Sequence, residues 1–193
     1  MSRSLVSLRE AEPTDAEFLV DLWADGLRRA ERPDLLADVE QLVKTAHVSP
    51  EQRLVVAEYD GEPAGAVLLR IATVTPLNLD LAVQVVSPCV ATPFRRRGIG
   101  RTLMDCAVAF AEEAGVPHLA TAVSSTSPGS RDGNRFMARL ALGPLGTLRV
   151  APVVAVRARL TATRPASAGG GRQLTRVLAA RRSARRARPV VSE

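Results

Sequence analysis

Two cysteines, Cys89 and Cys106, are all that the chain contains, which excludes a disulfide framework and a cysteine-built metal centre. A reducing, cytoplasmic compartment is the expectation. Aromatic residues make up 3% of the sequence, with one tryptophan, one tyrosine and four phenylalanines. That leaves few side chains on which nucleic-acid bases could stack. Lysine occurs once, at Lys44, so arginine carries almost all of the positive charge, a bias that suits a GC-rich genome. No stretch approaches the roughly 18 consecutive apolar residues of a membrane span. The first ten residues, MSRSLVSLRE, lack the apolar run of a signal peptide.

Against these scarcities, 46% of the 193 residues are hydrophobic and 24% charged, the balance of a globular domain with a substantial core. The net charge of +6 is unevenly spread. Residues 164–193 hold eight arginines and one acid, Glu193, which leaves 18 basic and 19 acidic residues in 1–163. The expected organisation is therefore a near-neutral domain over 1–163 and an Arg-rich tail over 164–193, linked by the Gly-rich run 166–171. The tail fits either a disordered, solvated end or a basic amphipathic helix on an anionic surface.

Alternating apolar residues predict a strand over Leu5–Arg9. Pro13-Thr14-Asp15-Ala16-Glu17 predicts a helix start with Thr14 as N-cap and Glu17 closing a capping box. Phe18, Leu19, Leu22, Trp23 and Leu27 then recur at helical spacing, and Trp23 is expected in the core. A second helix is expected from Pro33 to His47. Strands over Arg53–Tyr59 and Pro63–Thr75 flank a turn at Asp60-Gly61-Glu62. Leu79–Val90 predicts a long strand interrupted at Ser87-Pro88, because proline has no N–H for the ladder. A helix follows from Arg101 to Ala114, with Leu103, Ala107, Phe110 and Ala114 on its inner face. Beyond it come a strand over His118–Ser124, a polar loop through Asp132, a helix over Asn134–Leu142 and a strand over Leu145–Val150. Residues 152–160 suit either a strand or a short helix. The fold class implied is an α/β sandwich.

Between the interrupted strand and the long helix lies Arg95-Arg96-Arg97-Gly98-Ile99-Gly100. The glycines allow backbone N–H groups to converge, the helix adds its positive end, and the arginines add charge that pairs with phosphate oxygens. A pyrophosphate is the expected guest.

These residues carry a family resemblance. Arg95, Gly98 and Gly100 satisfy the Arg/Gln-x-x-Gly-x-Gly/Ala signature of the GNAT N-acetyltransferase superfamily, and the run from Val90 to Met104 is similar throughout. The order of elements over about residues 5–150 resembles it too. The resemblance implies a mixed, mostly antiparallel sheet splayed at the cofactor strand, with helices on both faces. It implies acetyl-CoA as cosubstrate, held by Val90, Ala91, Thr92, Arg95, Arg96, Arg97, Gly98, Ile99, Gly100, Arg101 and Thr102. Backbone amides from about Arg96 to Arg101 would take the pyrophosphate, and Ser87–Thr92 the pantetheine arm and thioester. The implied reaction moves acetyl to a primary amine on a small molecule or peptide. The acceptor would enter between the first two helices, around 28–35.

The pattern also departs from the family. Where many members carry a tyrosine that serves as general acid, this chain has Met137. Where one branch carries a glutamate base, it has Gln84. Asp80, Gln84 and His118 are the catalytic candidates, with Glu58 and Asp132 as further titratable groups. Cys89 is expected as a strand cysteine. A CoA-binding regulatory module without catalysis is the alternative, and a protein acting on nucleic acid or membrane through its tail is a third. No metal is expected, nucleic acid is not the expected partner, and a homodimer is compatible with such a domain.

Overall fold

A computed structural model describes residues 5–27, 30–75, 77–122, 130–146 and 151–162. Its elements run β1 (Val6–Glu10), α1 (Ala16–Leu22), α2 (Arg32–Val48), β2 (Gln52–Tyr59), β3 (Glu62–Thr75), β4 (Asn78–Val90), α3 (Ile99–Glu113), β5 (His118–Thr121), α4 (Ser130–Arg139) and α5 (Val153–Ala162). The five strands form one sheet in the order β1-β2-β3-β4-β5. All neighbours pair antiparallel except β4 and β5, which are parallel. The tertiary contacts divide the chain into 1–143 and 144–193; the first unit contains the whole sheet and α1–α4.

Alternation along the inner strands supplies two cores, one on each face of the sheet. Val55, Val67, Leu69, Val83 and Val85 point toward α3, where they meet Leu103, Ala107 and Phe110. Leu54, Val56, Ala66 and Leu68 point the other way, toward Leu19, Val20 and Trp23 of the α1 segment and Val39 and Val43 of α2. The helices thus cover both faces, and the predicted sandwich is the one formed.

Two irregularities break the alternation at the same level of the sheet. In β3, Ala57 pairs with Gly65 while Glu58 pairs with Pro63, so Ala64 is an extra residue. In β4, Leu68 pairs with Val86 but Ala66 pairs with Cys89, which leaves one extra residue around Ser87-Pro88. This is the interruption the proline predicted. Across it the faces exchange: Val83 and Val85 belong to the α3 core, whereas Cys89 joins the α1/α2 core and Val90 returns to the α3 side.

Several local expectations are corrected. Thr14 is not the N-cap; it lies inside a 3-10 turn over Pro13–Asp15, and the Asp15 carboxylate accepts the Glu12 N–H at 2.7 Å. Ala114 is exposed at the end of α3, and Ala111 takes the inner position. α4 begins at Ser130, so Asp132 stands in its first turn and not in a loop. Residues 153–162 are helical, with the Ala155 and Val156 N–H groups donating to the Pro152 carbonyl at 3.0 and 3.2 Å. Leu145 and Gly146 are not in a strand, and the rest of the strand expected at 145–150 lies outside the described residues, as does the tail 164–193. Among the described residues no helix is long and apolar enough to cross a membrane.

One ionic cluster ties β1 and β2 to the start of α1. Arg9 clasps Asp15 with two bonds of 2.7 and 2.8 Å and donates to Glu58 at 2.6 Å, and Ser7 donates to Glu58 at 3.2 Å. Burial alone would raise the Asp15 carboxyl, but the Arg9 guanidinium and the Glu12 N–H outweigh it and hold the group below the ordinary aspartate value. A depressed folded-state value makes the ionised form the stabilising one, so this contribution is present above the unfolded value and lost as pH falls through the folded one. Asp15→Ala is therefore expected to cost about 1–3 kcal/mol at neutral pH. Thermal melts should show that loss shrinking as the pH is lowered below about 4, where wild type gives up the same interaction.

Candidate functional site

The site grows out of the two bulges. β4 pairs with β5 only from Ala82↔His118 to Val85↔Thr121, and the Thr121 hydroxyl donates to the Val85 carbonyl at 2.8 Å as the pairing ends. From Val86 onward the described pairing of β4 is with β3 alone. Ser87 adopts a φ of 47°, left-handed backbone that costs a non-glycine residue energy. Its carbonyl accepts the Trp23 indole N–H at 2.9 Å. Gly65 lies against this segment so closely that a Cβ there would stand 2.7 Å from the Cys89 carbonyl oxygen. Ala91, the first residue after β4, has its N–H bound to the Ala64 carbonyl at 2.8 Å and its own carbonyl bound by the Phe94 N–H at 2.9 Å.

Past Ala91 a turn over Thr92–Phe94 leads into the arginine–glycine loop. Arg96 and Gly98 both take left-handed conformations, with φ of 64° and 88°. α3 starts at Ile99, two residues before the expected start, with Gly98 as its N-cap. That earlier start matters because it makes Ile99 and Gly100 first-turn residues, whose N–H groups have no acceptor within the helix. Among the described residues, no acceptor meets the N–H groups of Arg96, Arg97, Gly98, Ile99 or Gly100, while Arg101 and Thr102 donate to the Gly98 carbonyl at 2.9 and 3.1 Å. Five donors thus stand at the positive end of a 15-residue helix.

The side chains divide their tasks. The Ile99 side chain is buried in the α3 core, and Val90 packs on the same side. Arg95 donates to the Val90 carbonyl at 3.3 Å, and Thr102 turns its hydroxyl to the Gly98 carbonyl at 3.4 Å. The Arg97 guanidinium lies 4.6 Å from the centre of the Tyr59 ring, which in turn packs on Phe94 at 5.9 Å. Arg96 approaches Asp132 of α4 at 3.9 Å, both side chains being exposed. Gly100 faces Phe136, whose ring would lie 3.7 Å from an added Cβ. Thr92 and Arg101 complete the loop at its two ends.

The catalytic candidates are not gathered at the bulge. Asp80 lies in the exposed outer half of β4, seven residues before Ser87 and so about 23 Å away along the strand. His118 is exposed at the start of β5, level with Ala82, about 16 Å from the bulge on the same scale. Gln84 spends its amide on the Thr73 carbonyl at 3.2 Å. Glu58 is held by Arg9 and Ser7. Met137, in the place of the family's tyrosine, is buried in the α3 core.

Cys89 is half-buried beside the bulge, and burial raises its thiol above the ordinary cysteine value; Arg95 opposes that rise and Asp25 adds to it. A raised thiol is a poor nucleophile at neutral pH. Asp25 is an exposed carboxylate in the turn just after α1, and its charge reaches the bulge although the sequence pattern did not single it out. The signal was its place two residues beyond Trp23, which becomes informative only once Trp23 is known to contact β4. Among the described residues no group of three or more His, Cys, Asp or Glu side chains could hold a metal ion.

A mixed five-stranded sheet with helices on both faces, a bulged fourth strand and a loop of N–H groups without acceptors at a helix start are the features set beside known proteins. The acetyltransferase (GNAT) family model matches residues 16–136, and the chain belongs to that family. No curated protein matches the chain in sequence. Among solved structures, a transcriptional regulator from Bacillus halodurans C-125 is 22% identical, with a TM-score of 0.63 over 76% of this chain and 99% of its own. A predicted acetyltransferase from Clostridium acetobutylicum, solved with acetyl-CoA, is 13% identical, with a TM-score of 0.60 over 78% of this chain and 97% of its own. The glucosamine-6-phosphate N-acetyltransferase from Arabidopsis thaliana is 12% identical, with a TM-score of 0.59 over 77% and 98%. These are likenesses of fold.

Gly65 gives the site a stability test. Gly65→Ala places a Cβ against backbone that cannot swing aside, and is expected to cost about 1–3 kcal/mol. Denaturant unfolding should show that loss, whereas Gly100→Ala, which meets only ordinary contacts, should stay within about 1 kcal/mol of wild type, the usual cost of exchanging glycine and alanine in a helix.

Proposed function

We propose that the protein is an acyl-CoA-dependent N-acyltransferase that moves acetyl from acetyl-CoA to a primary amine by direct attack on the thioester. The observation that carries this reading is the set of N–H groups from Arg96 to Gly100 without acceptors among the described residues. They stand at the start of α3, a few residues after the bulged end of β4. A pyrophosphate would satisfy those donors, with Arg96 and Arg101 adding charge at the rim. The freed backbone of 87–90 would receive the pantetheine arm and thioester. The acetyl-CoA present in the Clostridium acetobutylicum structure supports the choice of cosubstrate, and the amine substrate named for the Arabidopsis thaliana enzyme supports the choice of acceptor class.

The chemistry asks little of acid–base side chains. The lone pair of a neutral amine adds to the thioester carbonyl, a C–N bond forms, and the C–S bond breaks to release the thiolate of CoA. The amine loses one proton and the thiolate gains one. Held geometry alone can supply about 7–11 kcal/mol toward such a step. Met137 offers no proton, so the thiolate takes its proton from water. On the acceptor side Asp25, an exposed carboxylate in the turn after α1, would draw in a cationic amine by its charge.

Two measurements test this reading. CoA at about 100 times its Kd should stabilise the protein by about 2.7 kcal/mol and raise Tm by a few degrees. Gly98→Val, placed where φ is 88°, should remove most of that rise. No rise at millimolar CoA overturns the proposal. Release of thiol from acetyl-CoA across a panel of primary amines should then identify acceptors, and Asp25→Asn should raise KM for a cationic amine about threefold or more. The buried Met137 favours one competing reading, a CoA-binding module without catalysis. A CoA-dependent rise in Tm with no thiol release from any amine is the outcome that reading expects.

A further inference from the structure

Trp23 is the chain's one tryptophan, and it does more than fill the α1/α2 core. It is 6% exposed, and its indole N–H reaches across to β4 to hold the Ser87 carbonyl at 2.9 Å. That carbonyl belongs to the peptide joining Ser87 to Pro88. The peptide has no N–H, because its nitrogen is the proline's. It can therefore be fixed only through its oxygen. The same peptide follows a serine held at a φ of 47°, a conformation it would leave if released. The neighbouring contacts hold other parts of the bulge: Gly65 lies against the Cys89 carbonyl, and Ala91 is bound to Ala64. The indole is the side chain that holds the Ser87 carbonyl among the described residues. It approaches from the face covered by α1 and α2, the side on which Asp25 follows in the turn 23–26, closed by the Gly26 N–H on the Trp23 carbonyl at 2.7 Å.

We infer that Trp23 is a positioning residue for the acyl group: its indole N–H locks the Ser87-Pro88 peptide so that the bulge keeps the shape that seats a thioester. The inference rests on the reading that acyl-CoA lies along 87–90. It separates two parts of the cosubstrate. The nucleotide end is bound by the loop at 96–100, which Trp23 does not touch, whereas the acetyl end depends on the bulge. Trp23→Phe keeps an aromatic ring and removes the donor, so it should act on the acetyl end alone.

The experiment is calorimetric titration of wild type and Trp23→Phe with CoA and with acetyl-CoA. Wild type should bind acetyl-CoA more tightly than CoA. Trp23→Phe should hold CoA within about twofold of wild type while losing about fivefold or more in affinity for acetyl-CoA, the scale expected when a buried carbonyl loses its donor. An unchanged ratio of the two affinities overturns the inference, and so does an equal loss of both, which is what a purely structural role produces. Failure of wild type to bind either ligand overturns the acyl-CoA reading itself. Should Trp23→Phe fail to fold, wild-type emission still decides. With one tryptophan beside the bulge, acetyl-CoA should change the emission beyond any change that CoA produces, and identical changes would count against the assignment.

Discussion

One extra residue in β4 is the constraint on which the rest of the site depends. Without it, alternation would carry the same side chains to the same faces along the whole strand. With it, Val83 and Val85 lie against α3, Cys89 turns to the α1/α2 side and Val90 comes back to α3. The exchange brings Cys89 and Val90 to opposite layers at the partly buried end of β4. The matching extra residue in β3, Ala64, directs a carbonyl to Ala91 and so sets the direction in which the chain leaves the sheet. The loop and the start of α3 inherit their positions from that exit.

The loop itself is held from below as well as from behind. Arg97 rests on Tyr59, and Tyr59 on Phe94, so one of the three consecutive arginines is a packing group whose charge faces an aromatic ring. Arg95 is similarly occupied with the end of β4. The electrostatic attraction of the loop therefore comes mainly from backbone donors and the helix end, with Arg96 and Arg101 at the rim. Run length alone overstated how much arginine charge faces a ligand. What the loop presents is backbone geometry more than side-chain charge.

Legibility followed the range of the interaction. The anion loop could be read because its causes are local: glycines at adjacent turns, arginines beside them and a helix just beyond. The bulge could be read because proline lacks an N–H wherever it stands. The two-sided sheet was legible from the apolar residues of β2 and β3. The proton chemistry was not. Asp80 and Gln84 lie on β4 at distances from the bulge that can be counted along the strand, whereas the place of His118 depends on the register of β5 with β4. Residues 153–162 were ambiguous because valine favours strands only as a weak preference that context overrides. Asp25 carries no local mark at all.

The chain's own local chemistry was enough to specify where the backbone bends and, within two residues, where α3 begins. Those features rest on φ restrictions and missing N–H groups, which act between neighbours in sequence. Tertiary packing decided that Trp23 holds Ser87, 64 positions away, that Tyr59 supports Arg97, and that Met137 is core. A hydrogen bond or a ring contact needs atoms brought within a few ångströms, and for residues so far apart only the packing of helices on both faces of the sheet brings them there.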